Sequence, residues 1–195
     1  MFEYVEKFES QIAEFFGAPY AVATDSCTHA LELCLRHTQE DCITIPKRTY
    51  VSVPMTCMKL GLNWHWKEEE WSDYYYLGFT NIIDAAVLWG ENTYIPNTYM
   101  CLSFQFKKHL NLGRGGAILL QNQEDYDKLK KMSYDGRDLS RAWVEQDIDT
   151  IGYHYYMTPE TALLGLEKLE KIKNQIPKGW SYADYPDLTQ MSVFK

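Results

Sequence analysis

Three stretches of this 195-residue sequence place chemically capable side chains where apolar runs give way to loops. The first is Asp25-Ser26-Cys27-Thr28-His29, directly after Tyr20–Thr24. Small polar residues at a strand-to-helix junction leave backbone N–H groups free at the positive end of a helix dipole, a general cradle for phosphate. Any such junction also wants a cap, and capping is the ordinary use of these residues. The second is Asp84, which closes Asn81-Ile82-Ile83-Asp84 and precedes Ala85-Ala86. A carboxylate there can cap the following turn, or can stay ionised beside a protonated heterocycle. The third runs from Ser103 through Lys107-Lys108-His109 to Gly113-Arg114-Gly115-Gly116. A lysine there is a surface residue or a nucleophilic amine, and the glycines alone signal a tight turn.

The elements that must position these residues alternate helix and strand. Val5, Phe8, Ile12 and Phe15/Phe16 recur at helical spacing over residues 2–16, and Gly17 ends the run. Tyr20–Thr24 reads as a short buried strand. A helix over 27–37, capped by Ser26 or Asp25, turns Ala30, Leu31, Leu33 and Cys34 inward. Cys42–Ile45 is a second strand closed by Pro46, and a helix at about 50–60 ends near Gly61. Residues 62–80 have no clean period and yield only short extended pieces. Asn81–Asp84, Met100–Phe104 and Gly116–Gln121 are further strands, and Asn122 opens a charged helix over Gln123–Tyr134. Thr158 caps a long amphipathic helix with Pro159 at its first position, carrying Leu163, Leu166, Leu169 and Ile172. The expectation is an α/β fold in three layers, α/β/α, with a mostly parallel sheet. Such sheets bind ligands at the carboxyl ends of their strands, where all three stretches fall.

Taken in this order, the motifs resemble the DegT/DnrJ/EryC1/StrS family of pyridoxal 5′-phosphate (PLP)-dependent sugar-nucleotide aminotransferases, of fold type I. VEKFESQIAEFFGAPYAVATDSCTHALELCL looks like the family's opening helix, strand and phosphate-binding helix. IPKRTYVSV resembles its second strand and the loop with a ring-stacking aromatic, IIDAA its pyridine-binding acid, and SFQFKKHLNLGRGGAILL its lysine motif. GYHYYMTPETALLGLEKL resembles the stretch leading into the long later helix. The resemblance implies the large domain of an aspartate aminotransferase-like PLP transferase. It makes Lys108 the Schiff-base lysine, by its spacing to the glycine turn. Asp84 becomes the partner of the pyridine nitrogen, and Tyr50 the residue stacked on the ring. Thr28, Ser103 and the backbone around Ser26–Cys27 become phosphate ligands. His154 takes the place of an asparagine that reaches the partner subunit's phosphate. The implied reaction moves an amino group from an amino acid to a nucleotide-linked keto-sugar, in a homodimer with shared sites.

Departures from the family set an alternative beside this reading. Val87 stands where glutamine or histidine commonly contacts the ring hydroxyl, and Tyr156 where arginine is usual. The chain is expected to be one shortened PLP-binding domain over 1–195 without the family's C-terminal domain, its residues from about 177 forming an irregular tail that wraps the surface. A non-catalytic or regulatory protein that retains the scaffold without turnover is the alternative. A second chain supplying the missing domain, docked on exposed tail aromatics such as Trp180, Tyr182 and Tyr185, is a further expectation.

Composition narrows the rest. A net charge of −8 and no cluster of basic residues argue against nucleic acid as partner. No stretch reaches the roughly 18 apolar residues of a membrane span. The opening MFEYVEKFES lacks the pattern of a signal peptide. Five cysteines without CxxC or cysteine–histidine spacing point to reduced thiols in a cytoplasm, with no metal site. Fifteen tyrosines and six tryptophans cluster partly at 64–76 and 153–156, as core or as pocket lining.

Overall fold

In the computed structural model, which describes residues 2–195, helix α1 spans Glu3–Phe16 and stops at Gly17, a left-handed residue at φ 75°. Strand β1 (Tyr20–Thr24), helix α2 (Cys27–Thr38), strand β2 (Cys42–Pro46), helix α3 (Ser52–Leu60) and strand β3 (Asn63–Lys67) follow. Strands β4 (Tyr75–Tyr76), β5 (Ile82–Asp84), β6 (Tyr99–Ser103) and β7 (Gly116–Leu120) come next, then helices α4 (Gln123–Ser133) and α5 (Pro159–Ile172).

The sheet is sandwiched as its alternation dictates, because successive strand residues point to opposite faces. Ala21, Ala23, Met100, Leu102, Ala117 and Leu119 meet α1 and α5 through Phe8, Ile12, Ala162 and Leu169. The residues between them, Val22, Cys101, Ile118 and Leu120, meet α2, α3 and α4 through Leu31, Cys34, Cys57 and Leu129. The three-layer α/β/α arrangement follows.

Strand direction corrects the expectation of a mostly parallel sheet. The five strands lie in the order β1-β7-β6-β5-β4, and only β5 and β6 are parallel neighbours; β7 opposes both β1 and β6, and β4 opposes β5. Connection length is the reason. A parallel neighbour needs a crossover of a dozen or more residues, usually helical. The loop from β6 to β7 contains no α-helix, and five residues join β4 to β5, so both return antiparallel. β2 and β3 form a separate parallel pair, with α3 as their crossover.

Two further expectations change. Leu163 on α5 is exposed; the buried positions are Pro159, Ala162, Gly165 and Leu169, one turn-spaced stripe. The tail is not a line of exposed aromatics. Its backbone pairs back onto the domain: Tyr182 N–H donates to Trp71 O at 3.0 Å, Asp73 N–H to Trp180 O at 2.9 Å, and Leu188 N–H to Lys47 O at 2.9 Å. Leu188 is buried, Tyr185 packs on Trp71, and Phe194 meets the edges of Trp64 and Trp66. Trp180, Tyr182 and Tyr185 are each half-buried. Among the described residues no helix is long and apolar enough to cross a membrane, and no group of three His, Cys, Asp or Glu residues is placed to hold a metal ion.

Candidate active site

The start of α2 is built by three separate sequence choices. Ser26 is extended and its hydroxyl accepts from His29 N–H at 3.3 Å, so it caps the helix. The N–H groups of Cys27 and Thr28, in the first turn, have no acceptor within the helix. Gly116 of β7 lets this turn lie on the sheet, because a Cβ there would stand 2.4 Å from both Cys27 N and Ser26 C. Arg114, from the glycine turn before β7, donates to Asp25 Oδ2 at 2.6 Å, while Asp25 Oδ1 lies 2.6 Å from His29 Nδ1. The glycine turn and the helix start are thereby held together. Thr28 and Ser52 hydroxyls meet at 2.7 Å, joining α2 to α3.

Asp84, the last residue of β5, is buried. Its Oδ1 accepts from Ala86 N–H at 3.0 Å, and its Oδ2 accepts from the Tyr75 hydroxyl at 2.6 Å. No basic side chain pairs with it among the described residues. Burial pushes its carboxyl above the ordinary value of 3.8, opposed by the Tyr75 and Ala86 bonds and by the charge of Lys108.

Lys108 sits in the loop after β6. Phe104 is buried and its N–H donates to Gly115 O at 2.9 Å; Lys108 N–H donates to Gln105 O at 2.8 Å, closing a turn. That turn exposes Lys107 and directs Lys108 inward, half-buried. Burial lowers the Lys108 ammonium below its ordinary 10.5, opposed by Cys27 and Asp84. Its Nζ lies 5.5 Å from the centroid of the Trp180 ring, brought there by the tail.

Seven of the eight residues expected from the sequence line one cavity: Ser26, Cys27, Thr28, Tyr50, Asp84, Ser103 and Lys108. Tyr50 stands half-exposed at its mouth. His154 is not in the cavity. It is exposed, 2.9 Å from Asp135 Oδ2, and lines a neighbouring cleft with Arg114 and Thr158. Val87 lies outside the cavity as well, in an adjoining hollow that shares Ala86, Ser103 and Lys108 with it and is lined also by Trp89 and Trp180. The sequence reading missed Ser52, Gln105 and Arg114 in the cavity wall, and Tyr75 behind Asp84. Arg114 had a signal, since it stands inside the glycine turn; Tyr75 had none, in a run of three tyrosines without a period.

These donors fit PLP. Free N–H groups and hydroxyls at the start of α2 can hold a phosphate. A buried carboxylate with only neutral donors can take a protonated ring nitrogen, and a half-buried amine of lowered basicity can bind a carbonyl carbon.

Comparison with known proteins gives the same direction. The pattern of the DegT/DnrJ/EryC1/StrS aminotransferase family matches residues 1–65 and 95–185, and leaves out the segment that carries Tyr75 and Asp84. A UDP-4-amino-4,6-dideoxy-N-acetyl-beta-L-altrosamine transaminase from Campylobacter jejuni is 29% identical over 85 residues, covering 44% of this chain and 22% of that enzyme. The crystal structure of AtS13 from Actinomadura melliaura superposes with a TM-score of 0.78 at 21% identity, over 88% of this chain and 61% of that one. The PLP-form of Spr1654 from Streptococcus pneumoniae superposes with a TM-score of 0.73 at 18% identity, over 87% and 59%. The chain therefore spans about three fifths of the length of these structures.

Proposed function

Since the chain belongs to the DegT/DnrJ/EryC1/StrS aminotransferase family, we propose that it is a PLP-dependent aminotransferase that passes an amino group from an amino acid to a nucleotide-linked keto-sugar. One observation carries this reading: the buried carboxylate of Asp84 and the inward amine of Lys108 face one cavity, which opens on the free N–H end of α2. When bound, PLP supplies an electron sink for the bond broken at the amino donor's Cα. The chain's own part is then specific. The N–H groups of Cys27 and Thr28, with the Thr28 and Ser103 hydroxyls, hold the phosphate, and Tyr50 covers one ring face. Asp84 keeps a proton on the ring nitrogen. Lys108 Nζ would hold the cofactor at its carbonyl carbon and, when free, would carry the proton between the donor's Cα and the cofactor. A homodimer with His154 turned toward its partner, or a second chain completing the site, and a reducing cytoplasm suited to the five unpaired cysteines, belong to the same proposal.

Val87 and the position of His154 favour the alternative of a scaffold that holds PLP without turnover. One experiment addresses both. Protein purified with PLP is reduced with borohydride, and the pyridoxyl-bearing lysine is mapped by mass spectrometry. A label on Lys108, absent in Lys108→Ala, is the expected result, and a protein that takes up no PLP overturns the proposal. A labelled protein whose visible band does not change with any amino donor supports the scaffold alone.

A further inference from the structure

We infer that Tyr75, with Thr49 behind it, is a positioning residue that fixes the orientation and the negative charge of the Asp84 carboxylate, in a role supplied by a segment outside the family's matched residues. In its use for PLP this rests on the cofactor reading above; as a statement about Asp84 it stands on the geometry alone.

The three side chains form a buried line. Thr49 Oγ1 and the Tyr75 hydroxyl are 2.5 Å apart, and the Tyr75 hydroxyl donates to Asp84 Oδ2 at 2.6 Å. All three are buried, Thr49 at 2%, Tyr75 at 3% and Asp84 at 6% exposure. A tyrosine hydroxyl has one proton, so a Tyr75 that donates to Asp84 must accept from Thr49, and the direction of the whole line is set. A hydroxyl bonded to a carboxylate is shorter and stronger than a neutral pair, and it favours the ionised acid. Among the described residues nothing else polar holds that oxygen; the other oxygen accepts from Ala86 N–H.

The backbone explains why this line is rigid. β4 pairs antiparallel with β5, and Tyr75 is the register partner of Asp84 itself. Trp71 packs on the Tyr75 ring at 5.1 Å, and its indole N–H donates to Arg48 O at 2.8 Å, one residue before Thr49. The tail closes over Trp71 through Tyr185. The two-residue strand β4, too short to stand alone, thus delivers one hydroxyl to one carboxylate.

Burial pushes the Asp84 carboxyl upward and the Tyr75 bond opposes it. Removing the Tyr75 hydroxyl while keeping its ring should let that carboxyl rise further. The test uses the full chain without cofactor, with aspartate carboxyl carbons labelled by ¹³C and the Asp84 signal assigned through Asp84→Asn. Tyr75→Phe is expected to move the Asp84 titration upward by about one pH unit or more, the size expected for loss of a hydrogen bond to a charged group. Thr49→Val should move it in the same direction by less, and Tyr76→Phe, one residue along the same strand, should not move it. In protein loaded with PLP, Tyr75→Phe should weaken cofactor retention about tenfold, one pH unit being a factor of ten. An Asp84 titration unchanged in Tyr75→Phe overturns the inference and assigns Tyr75 to packing. A displaced titration in a protein that takes up no PLP upholds the Tyr75–Asp84 coupling and overturns the cofactor reading instead.

Discussion

Lys108 and Asp84 are both held against their preferred ionisation, and the cost has a sign that can be measured. Lys108 has a folded value below its ordinary 10.5, so the folded chain binds fewer protons between those two values, and cofactor-free stability rises with pH across that window. Asp84 is shifted upward from 3.8, so stability falls as pH rises from there through its folded value. Urea titrations of Lys108→Met against the wild type should show the first slope vanish. The same lowered basicity should make capture of PLP by Lys108 reach half its limiting rate at a lower pH than for a free lysine amine in solution, read by mass spectrometry after brief reduction. Glu32 behaves oppositely. It is buried, which raises its carboxyl, but hydrogen bonds from Lys59 and Arg36 outweigh burial and lower it below 4.5. Its contribution is therefore present above pH 4.5 and is lost as pH falls through the folded value. Glu32→Gln should destabilise the fold by about 1–3 kcal/mol at neutral pH, the range for a hydrogen-bonded charge, and should flatten the acid side of the stability profile.

At the scale of elements, two glycines set the distances between layers. Gly165 of α5 faces Phe8 of α1, and a Cβ there would stand 2.5 Å from Phe8 Cε2. Alanine improves an exposed helix by about 1 kcal/mol, but here the fully buried Phe8 ring has to move. Gly165→Ala should therefore come out destabilised by about 1–2 kcal/mol in denaturant melts, since overpacking typically costs more than the propensity returns. Gly116 meets backbone rather than a ring, and backbone cannot swing away. Gly116→Ala should lift the start of α2 off the sheet and cut PLP retention at least tenfold, whereas Gly165→Ala, on the other face, should leave retention unchanged. Equal retention in both variants would detach the α2 start from cofactor binding.

Across the whole molecule, the tail acts as part of the core rather than as an appendage. Leu188 is 1% exposed, and the 3-10 turns around it are tied to Lys47 and Arg48. Leu188→Ala should cost about 2–4 kcal/mol, as for other buried leucines. It should also loosen the Trp71–Tyr75 packing, which near-ultraviolet circular dichroism would register. A loss below about 0.5 kcal/mol, the level of surface substitutions, would mean that the tail is only loosely applied.

The sequence by itself determined the helices and the strands β1, β2, β5, β6 and β7, which rest on local rules, and seven of the residues that line the cavity, through the order of motifs that resembles the family's. Helical spacing marks α1 and α2, Ser26 and Asn122 cap as short polar residues do, and the family resemblance, through the spacing to the glycine turn, distinguishes Lys108 from Lys107. Strand direction, β3 and β4, the placement of Tyr75 and the particular contacts of the tail were decided only by tertiary structure. In β3 Asn63 and His65 are exposed while Trp64 and Trp66 are half-buried and covered by Phe194 from the far end of the sequence, so the strand has no fully buried face. β4 has two residues and exists by pairing with β5. A periodicity needs length and a single buried face to be visible, and an element held by distant partners offers neither.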